Sequence, residues 1–98
     1  MGLTKVAGLE LANTGVTVNA VNPGWVLTPL VEAQIAKRAE ANGTTRAAEE
    51  AAMLAEKQEM LRFSTPEHIG AAVRFLCSEG AATMTGSAIT VDGGWTAR

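Results

Sequence analysis

Two tryptophans and one glutamine carry the chemistry that can be read from residue types and spacing. Trp25 follows Pro23-Gly24, and Trp95 follows Gly93-Gly94. Each stands just beyond a short, uncharged, β-branched run. If those runs are adjacent parallel strands, both indoles fall at one end of the sheet, where open α/β sheets bind ligands. The alternative is a pair of aromatic plugs closing two loops. Gly24 likewise has two readings: it lets backbone amides approach a flat ring or a phosphate, or it ends the strand in a turn. Gln58 offers both a donor and an acceptor, which suits a carboxylate or hydroxyl in a cleft. Its alternative is the edge of an apolar stripe, with the amide in water.

Other chemistries lack their residues. The 98 residues contain no tyrosine, one histidine and one cysteine, so no metal-ligand spacing and no disulfide framework can be built from His68 and Cys77. No Gly-rich phosphate loop or Walker sequence is present. Glu49 and Glu50 are adjacent and cannot face each other on a helix. Ser64, Ser78 and Ser87 have no histidine or lysine at a recognisable spacing. No catalytic residue is therefore assigned. His68 is expected in a surface or structural role and Cys77 as a small packing residue. A net charge of −2 with scattered Lys and Arg gives no basic stripe for nucleic acid. No apolar run reaches the length of a membrane span, and the N-terminal pattern, with Lys5 and Glu10, is not a signal peptide. A cytoplasmic location is the expectation.

These residues must be positioned by a small set of elements, and 47% hydrophobic residues in a chain of this length allow at most one domain, here taken as residues 1–98. Apolar spacing predicts a helix over Leu3 to Ala12, stopped by Asn13-Thr14-Gly15, with no cap signal at its start, as though the chain began in mid-helix. Val16 to Val21 reads as a buried strand ending at Asn22-Pro23-Gly24. Pro29 opens a helix that Asn42-Gly43 breaks. A second helix is expected from about Thr45 to Leu61, with Ala47, Ala51, Leu54, Gln58 and Leu61 along one stripe. Ser64-Thr65-Pro66-Glu67 is a helix start, followed by a buried face at Ile69, Ala72, Val73 and Leu76. Ser87 to Val91 is the second strand. Two strands joined by a long helical crossover predict a parallel pair and an α/β fold.

The segments VTVNAVNPGWVLTPL and STPEHIGAAVRFLCSEGAATMTGSAITVDGGW resemble the C-terminal portion of a short-chain dehydrogenase/reductase, and Trp25, Glu56-Lys57-Gln58 and Trp95 most resemble its 3-hydroxybutyrate dehydrogenases. The resemblance implies part of a Rossmann-type doubly wound parallel sheet and an NAD-dependent interconversion of (R)-3-hydroxybutyrate and acetoacetate, usually in a homotetramer. It implies that Pro23 and Gly24 pass along the nicotinamide, with the Val26 backbone and Thr28 near its carboxamide. Residues 29–61 would be a helical lid, and Gln58, Trp25 and Trp95 would line the substrate pocket. The last helix and strand would lie at a subunit interface.

The family's Gly-rich cofactor turn, its catalytic Ser and its Tyr-x-x-x-Lys pair have no counterpart here, and Lys5 is not that lysine because no Tyr precedes it. A positioned general acid/base contributes about 10² to 10⁴ in rate. The expectation is a truncated dehydrogenase, inactive alone, with weak or absent NAD binding. A non-catalytic α/β interaction module that pairs through an exposed strand edge is the other reading.

Overall fold

The computed structural model describes residues 2–97. Helix α1 (Gly2–Glu10) leads to strand β1 (Ala20–Pro23), then to helices α2 (Pro29–Asn42), α3 (Arg46–Ala55) and α4 (Pro66–Leu76), and finally to strand β2 (Ala88–Val91). Short 3-10 turns occupy Glu79–Ala81 and Trp95–Ala97. The fold is α/β, with β1 and β2 in one parallel pair, Ala20 opposite Ala88 and Pro23 opposite Val91. The crossover through three helices is what permits this direction.

The first strand begins later than its apolar run suggests. Val16 to Asn19 lies outside the ladder and is tied instead to the Met84–Ser87 turn. The Thr85 hydroxyl accepts the Val18 N–H at 3.1 Å, and Asn19 Nδ2 donates to the Met84 carbonyl at 2.8 Å. Pro23 closes the strand, and the next ladder bond runs from Gly24 N–H to Val91 O at 3.0 Å. Helix α1 also stops early, at Glu10, before the expected Ala12. It crosses the Thr85-Gly86 turn so closely that a Cβ on Gly8 would lie 2.6 Å from Gly86 N.

Helices α2 and α3 form a hairpin with its own core. Thr28 and Thr45 cap their N-termini through side-chain bonds to Val31 N–H and Ala48 N–H, and Gly43 ends α2 at φ +63°, the left-handed angle that glycine takes without strain. Val31, Ile35 and Met53 are buried, and Trp25, Leu27 and Phe63 pack against them. Burying one such aliphatic side chain contributes about 1.5–3 kcal/mol. Glu49, 5% exposed, ties the hairpin together. It accepts from Asn42 Nδ2 at 3.0 Å and Thr44 Oγ1 at 2.6 Å, and pairs with Arg38 Nε at 3.2 Å.

The second helix of the hairpin ends at Ala55 and does not continue to Leu61. Gln58 therefore lies beyond the helix, although its N–H still donates to Leu54 O at 3.0 Å and both residues are buried. Helix α4 keeps the expected periodicity, with Ile69, Ala72 and Leu76 half-buried, but Val73 is exposed. Cys77 is exposed too, so it is not the packing residue expected. His68 closes a capping box, accepting the Thr65 N–H at Nδ1.

The described residues are elongated, 57 × 24 × 18 Å with a radius of gyration of 17.1 Å, against about 13 Å for a closed domain of this length. Leu3 and Leu9 on α1 are 83% and 78% exposed. The apolar faces of α1 and α4 are thus only partly used by the elements described.

Candidate functional site

Beyond β1 the chain stays extended long enough to pair a second time. Val26 forms a parallel bridge with Ser64, made by Ser64 N–H to Trp25 O at 3.0 Å and Leu27 N–H to Ser64 O at 2.9 Å. In this arrangement the flanking residues make the bonds, so the N–H and C=O of Val26 itself point away from Ser64. Neither has a hydrogen-bond partner among the described residues. A backbone donor and acceptor on one residue complement a primary amide, which the carboxamide of a nicotinamide is. Thr28 uses its oxygen to cap α2, accepting Val31 N–H at 3.3 Å, and its own O–H remains free to donate. These residues fit the amide end of such a cofactor; nothing described here fits its pyrophosphate.

Gln58 organises the ground beneath this loop. It is 2% exposed and its amide is committed to backbone. Oε1 accepts Trp25 N–H at 3.3 Å, and Nε2 donates to Met60 O and Arg62 O, each at 2.8 Å. These last two bonds fold the chain back after α3 and explain why the helix stops. The amide lies between two glycines. A Cβ on Gly24 would stand 2.9 Å from Oε1 and 2.8 Å from Asp92 Cα, and one on Gly93 would stand 2.5 Å from Nε2. Close approach of protein to protein, therefore, is a sufficient reason for Gly24, which neither sequence reading contained.

Trp25 and Trp95 lie at the same end of the strand pair, each within reach of one lysine. Lys57 Nζ lies 5.1 Å from the ring centre of Trp25 and 4.9 Å from that of Trp95, within cation–π reach of both. The Trp25 indole Nε1 is buried without a hydrogen-bond partner among the described residues. Trp95 is held from behind by Asp92, which accepts Gly94 N–H at Oδ1 and both the N–H and the hydroxyl of Thr96 at Oδ2. The Thr96 hydroxyl above all holds the Asp92 carboxyl below its ordinary pKa, with backbone N–H groups adding to the effect against a burial penalty. Asp92 was not singled out from the sequence, although its place before Gly-Gly is a usual signal for a capping side chain.

A cleft of about 350 Å³ adjoins this region, lined by Phe63, Ser64, His68, Asp92 and Gly94 among others. A larger one, about 630 Å³, lies between the segment that leads into β1 and the end of α4, lined by Asn19, Val21, Leu76 and Cys77 among others. Among the described residues there is no cluster able to hold a metal ion, and no helix long and apolar enough to cross a membrane.

A family model described as enoyl-(acyl carrier protein) reductase matches residues 1–96. The chain is 46% identical, over its whole length, to a D-beta-hydroxybutyrate dehydrogenase of Cupriavidus necator and 43% identical to one of Rhizobium meliloti. The chain belongs to the short-chain dehydrogenase/reductase family. It spans 38% of the length of each of these two relatives.

Solved structures of short-chain dehydrogenases superpose on it closely. One from Francisella tularensis gives a TM-score of 0.84 at 35% identity, over 99% of this chain and 40% of that one. L-sorbose reductase from Gluconobacter frateurii, complexed with NADPH and L-sorbose, gives 0.86 at 32%, over 96% and 36%. A 4-hydroxyisoleucine dehydrogenase complexed with NADH gives 0.80 at 30%, over 99% and 36%. The two parallel strands are accordingly part of a Rossmann-type sheet.

Proposed function

We propose that these residues form the substrate-facing and nicotinamide-facing part of an NAD-dependent dehydrogenase that interconverts (R)-3-hydroxybutyrate and acetoacetate. The observation that carries this reading is the placement of Trp25 and Trp95 at the C-terminal end of the parallel pair, in a chain with two D-beta-hydroxybutyrate dehydrogenases among its relatives. The indoles supply the apolar wall for a short hydroxy acid. Pro23 and Gly24 turn the backbone past the nicotinamide, the Val26 N–H and C=O hold its carboxamide, and the Thr28 hydroxyl donates beside it. Residues 29–61 serve as the lid. Gln58 acts on the pocket through the Trp25 backbone, since its amide is already engaged.

A nicotinamide bound beside Pro23, Gly24, Val26 and Thr28 would supply the hydride acceptor for the carbinol carbon. The hydroxyl proton must leave to a general base, and these 98 residues contain no tyrosine to be that base. Because the resemblance gives the family's tyrosine that role, and its Gly-rich cofactor turn has no counterpart here, the reading expects this chain to be inactive by itself and to bind NAD weakly at best. The test is NADH absorbance with NAD and (R)-3-hydroxybutyrate, using the chain alone and then with the part of the C. necator relative that it does not cover, expressed separately. Silence alone and turnover together support the reading. Turnover by the chain alone overturns the assignment of an absent acid/base, and silence in both arms with the parts shown to associate overturns the proposed reaction.

A second reading is favoured by β1, which has a strand partner on one side only among the described residues. An unpaired apolar edge templates association. On this reading the chain is a non-catalytic α/β module that pairs through that edge, with itself as a homo-oligomer or with another chain. Sedimentation as a monomer independent of concentration would count against it.

A further inference from the structure

Three segments already tied through their backbones, by Trp25 N–H to Gln58 Oε1 at 3.3 Å and Met60 N–H to Gly93 O at 2.9 Å, are joined through their side chains by Lys57. Trp25 is in the loop after β1, Lys57 in the turn after α3, and Trp95 in the 3-10 turn after β2. The backbone of Lys57 is fixed, because its N–H donates to Leu54 O at 3.2 Å and the next residue is the buried Gln58. Its ammonium is in no ion pair among the described residues. The two indoles are its partners.

The indoles themselves are held unequally. Trp25 packs against Val31, Ile35 and Met53 and is bonded through its backbone to Gln58. Trp95 is 40% exposed, and only its backbone turn is fixed, by Asp92. We propose that Lys57 is a positioning residue that fixes the Trp95 ring relative to Trp25. On the reading that the two indoles line a substrate pocket, the ring spacing it sets is the width of the slot open to substrate. A cation shared by two π faces resists separation of either ring, since each contact favours the closed arrangement by about two- to five-fold at a partly exposed site. A slot held at fixed width takes a short hydroxy acid and excludes bulkier ones.

The chain has two tryptophans and no tyrosine, so its fluorescence reports these rings alone. Lys57→Met keeps the stem and removes the charge; Lys57→Arg keeps a planar cation. Lys57→Met is expected to raise acrylamide quenching about two- to five-fold and to red-shift emission, with far-UV circular dichroism unchanged. Lys57→Arg should restore most of the wild-type signal, and in a Trp95→Phe chain the Lys57→Met effect should shrink. Quenching unaltered by Lys57→Met, or raised equally by Lys57→Arg, overturns the clamp. In the complemented enzyme Lys57→Met should raise KM for (R)-3-hydroxybutyrate with little change in kcat; an equal fall in kcat would overturn positioning of the slot. The fluorescence arm needs neither nucleotide nor turnover, so failure of the proposed reaction and failure of the clamp are separate results.

Discussion

The Trp25 backbone N–H donates to Gln58 Oε1 at 3.3 Å, so the loop that follows β1 is held by an amide that follows α3. Replacing Gln58 with Ala removes at once the partner of three part-buried backbone groups, Trp25 N–H, Met60 O and Arg62 O. A hydrogen bond contributes about 0.5–1.5 kcal/mol net where water can reach its groups, and Gln58→Ala should destabilise the chain by about 2–4 kcal/mol in urea unfolding. A loss below about 1 kcal/mol would mean that water replaces all three bonds.

Gly93 and Gly15 both have positive φ, +60° and +82°, but differ in surroundings. A Cβ on Gly93 meets the Gln58 amide at 2.5 Å, whereas one on Gly15 meets nothing within 4 Å. Gly15→Ala should therefore carry only the left-handed backbone penalty, about 1–2 kcal/mol. Gly93→Ala should cost more and should also shift tryptophan emission, because Gln58 must move away from Trp25. Equal costs would show that the close packing of Gly93 on Gln58 is not maintained in solution.

Amide hydrogen exchange separates neighbours in the loop. Gly24, Trp25 and Leu27 N–H groups are hydrogen-bonded, and Val26 N–H has no partner among the described residues. Val26 should exchange faster than both flanking residues in the chain alone, and should become protected in the complemented enzyme on addition of NADH. Protection that does not change with nucleotide would remove Val26 from the cofactor site.

Acid should loosen the α2–α3 hairpin. Bonds from Thr44 and Asn42, with help from Arg38, hold the Glu49 carboxyl below its ordinary pKa despite its burial. A depressed folded-state pKa means that this stabilisation is complete above the unfolded value, about 4.3, and is lost as pH falls through the folded one. Asp92 acts in the same direction. The thermal midpoint should hold from neutral pH down to about pH 5 and then fall, and Glu49→Gln should flatten part of that fall. An unchanged acid limb in Glu49→Gln would assign it elsewhere.

The order of elements, the parallel pair and the placement of Trp25 and Trp95 at one end were legible in the residues. Helix starts at Thr28-Pro29 and Thr65-Pro66, the Asn42-Gly43 stop and the β-branched runs are local signals, set by backbone angles and by side chains a few positions away. Val16 to Asn19 looked like strand by the same local rule, yet a strand is defined by its partner, and these residues face the side chains of a turn. Gln58 sits at helical spacing from Leu54, and spacing cannot tell a helix from a chain that turns back. That choice was made by the Met60 and Arg62 carbonyls, within four residues of Gln58, and by the Trp25 N–H, which reaches the buried amide only when the loop after β1 lies beside the turn after α3. The sequence by itself determined which segments could form; tertiary packing decided where α3 ends, why Gly24 and Gly93 carry no side chain, and that Lys57 reaches two indoles, because each depends on atoms brought together from distant parts of the chain.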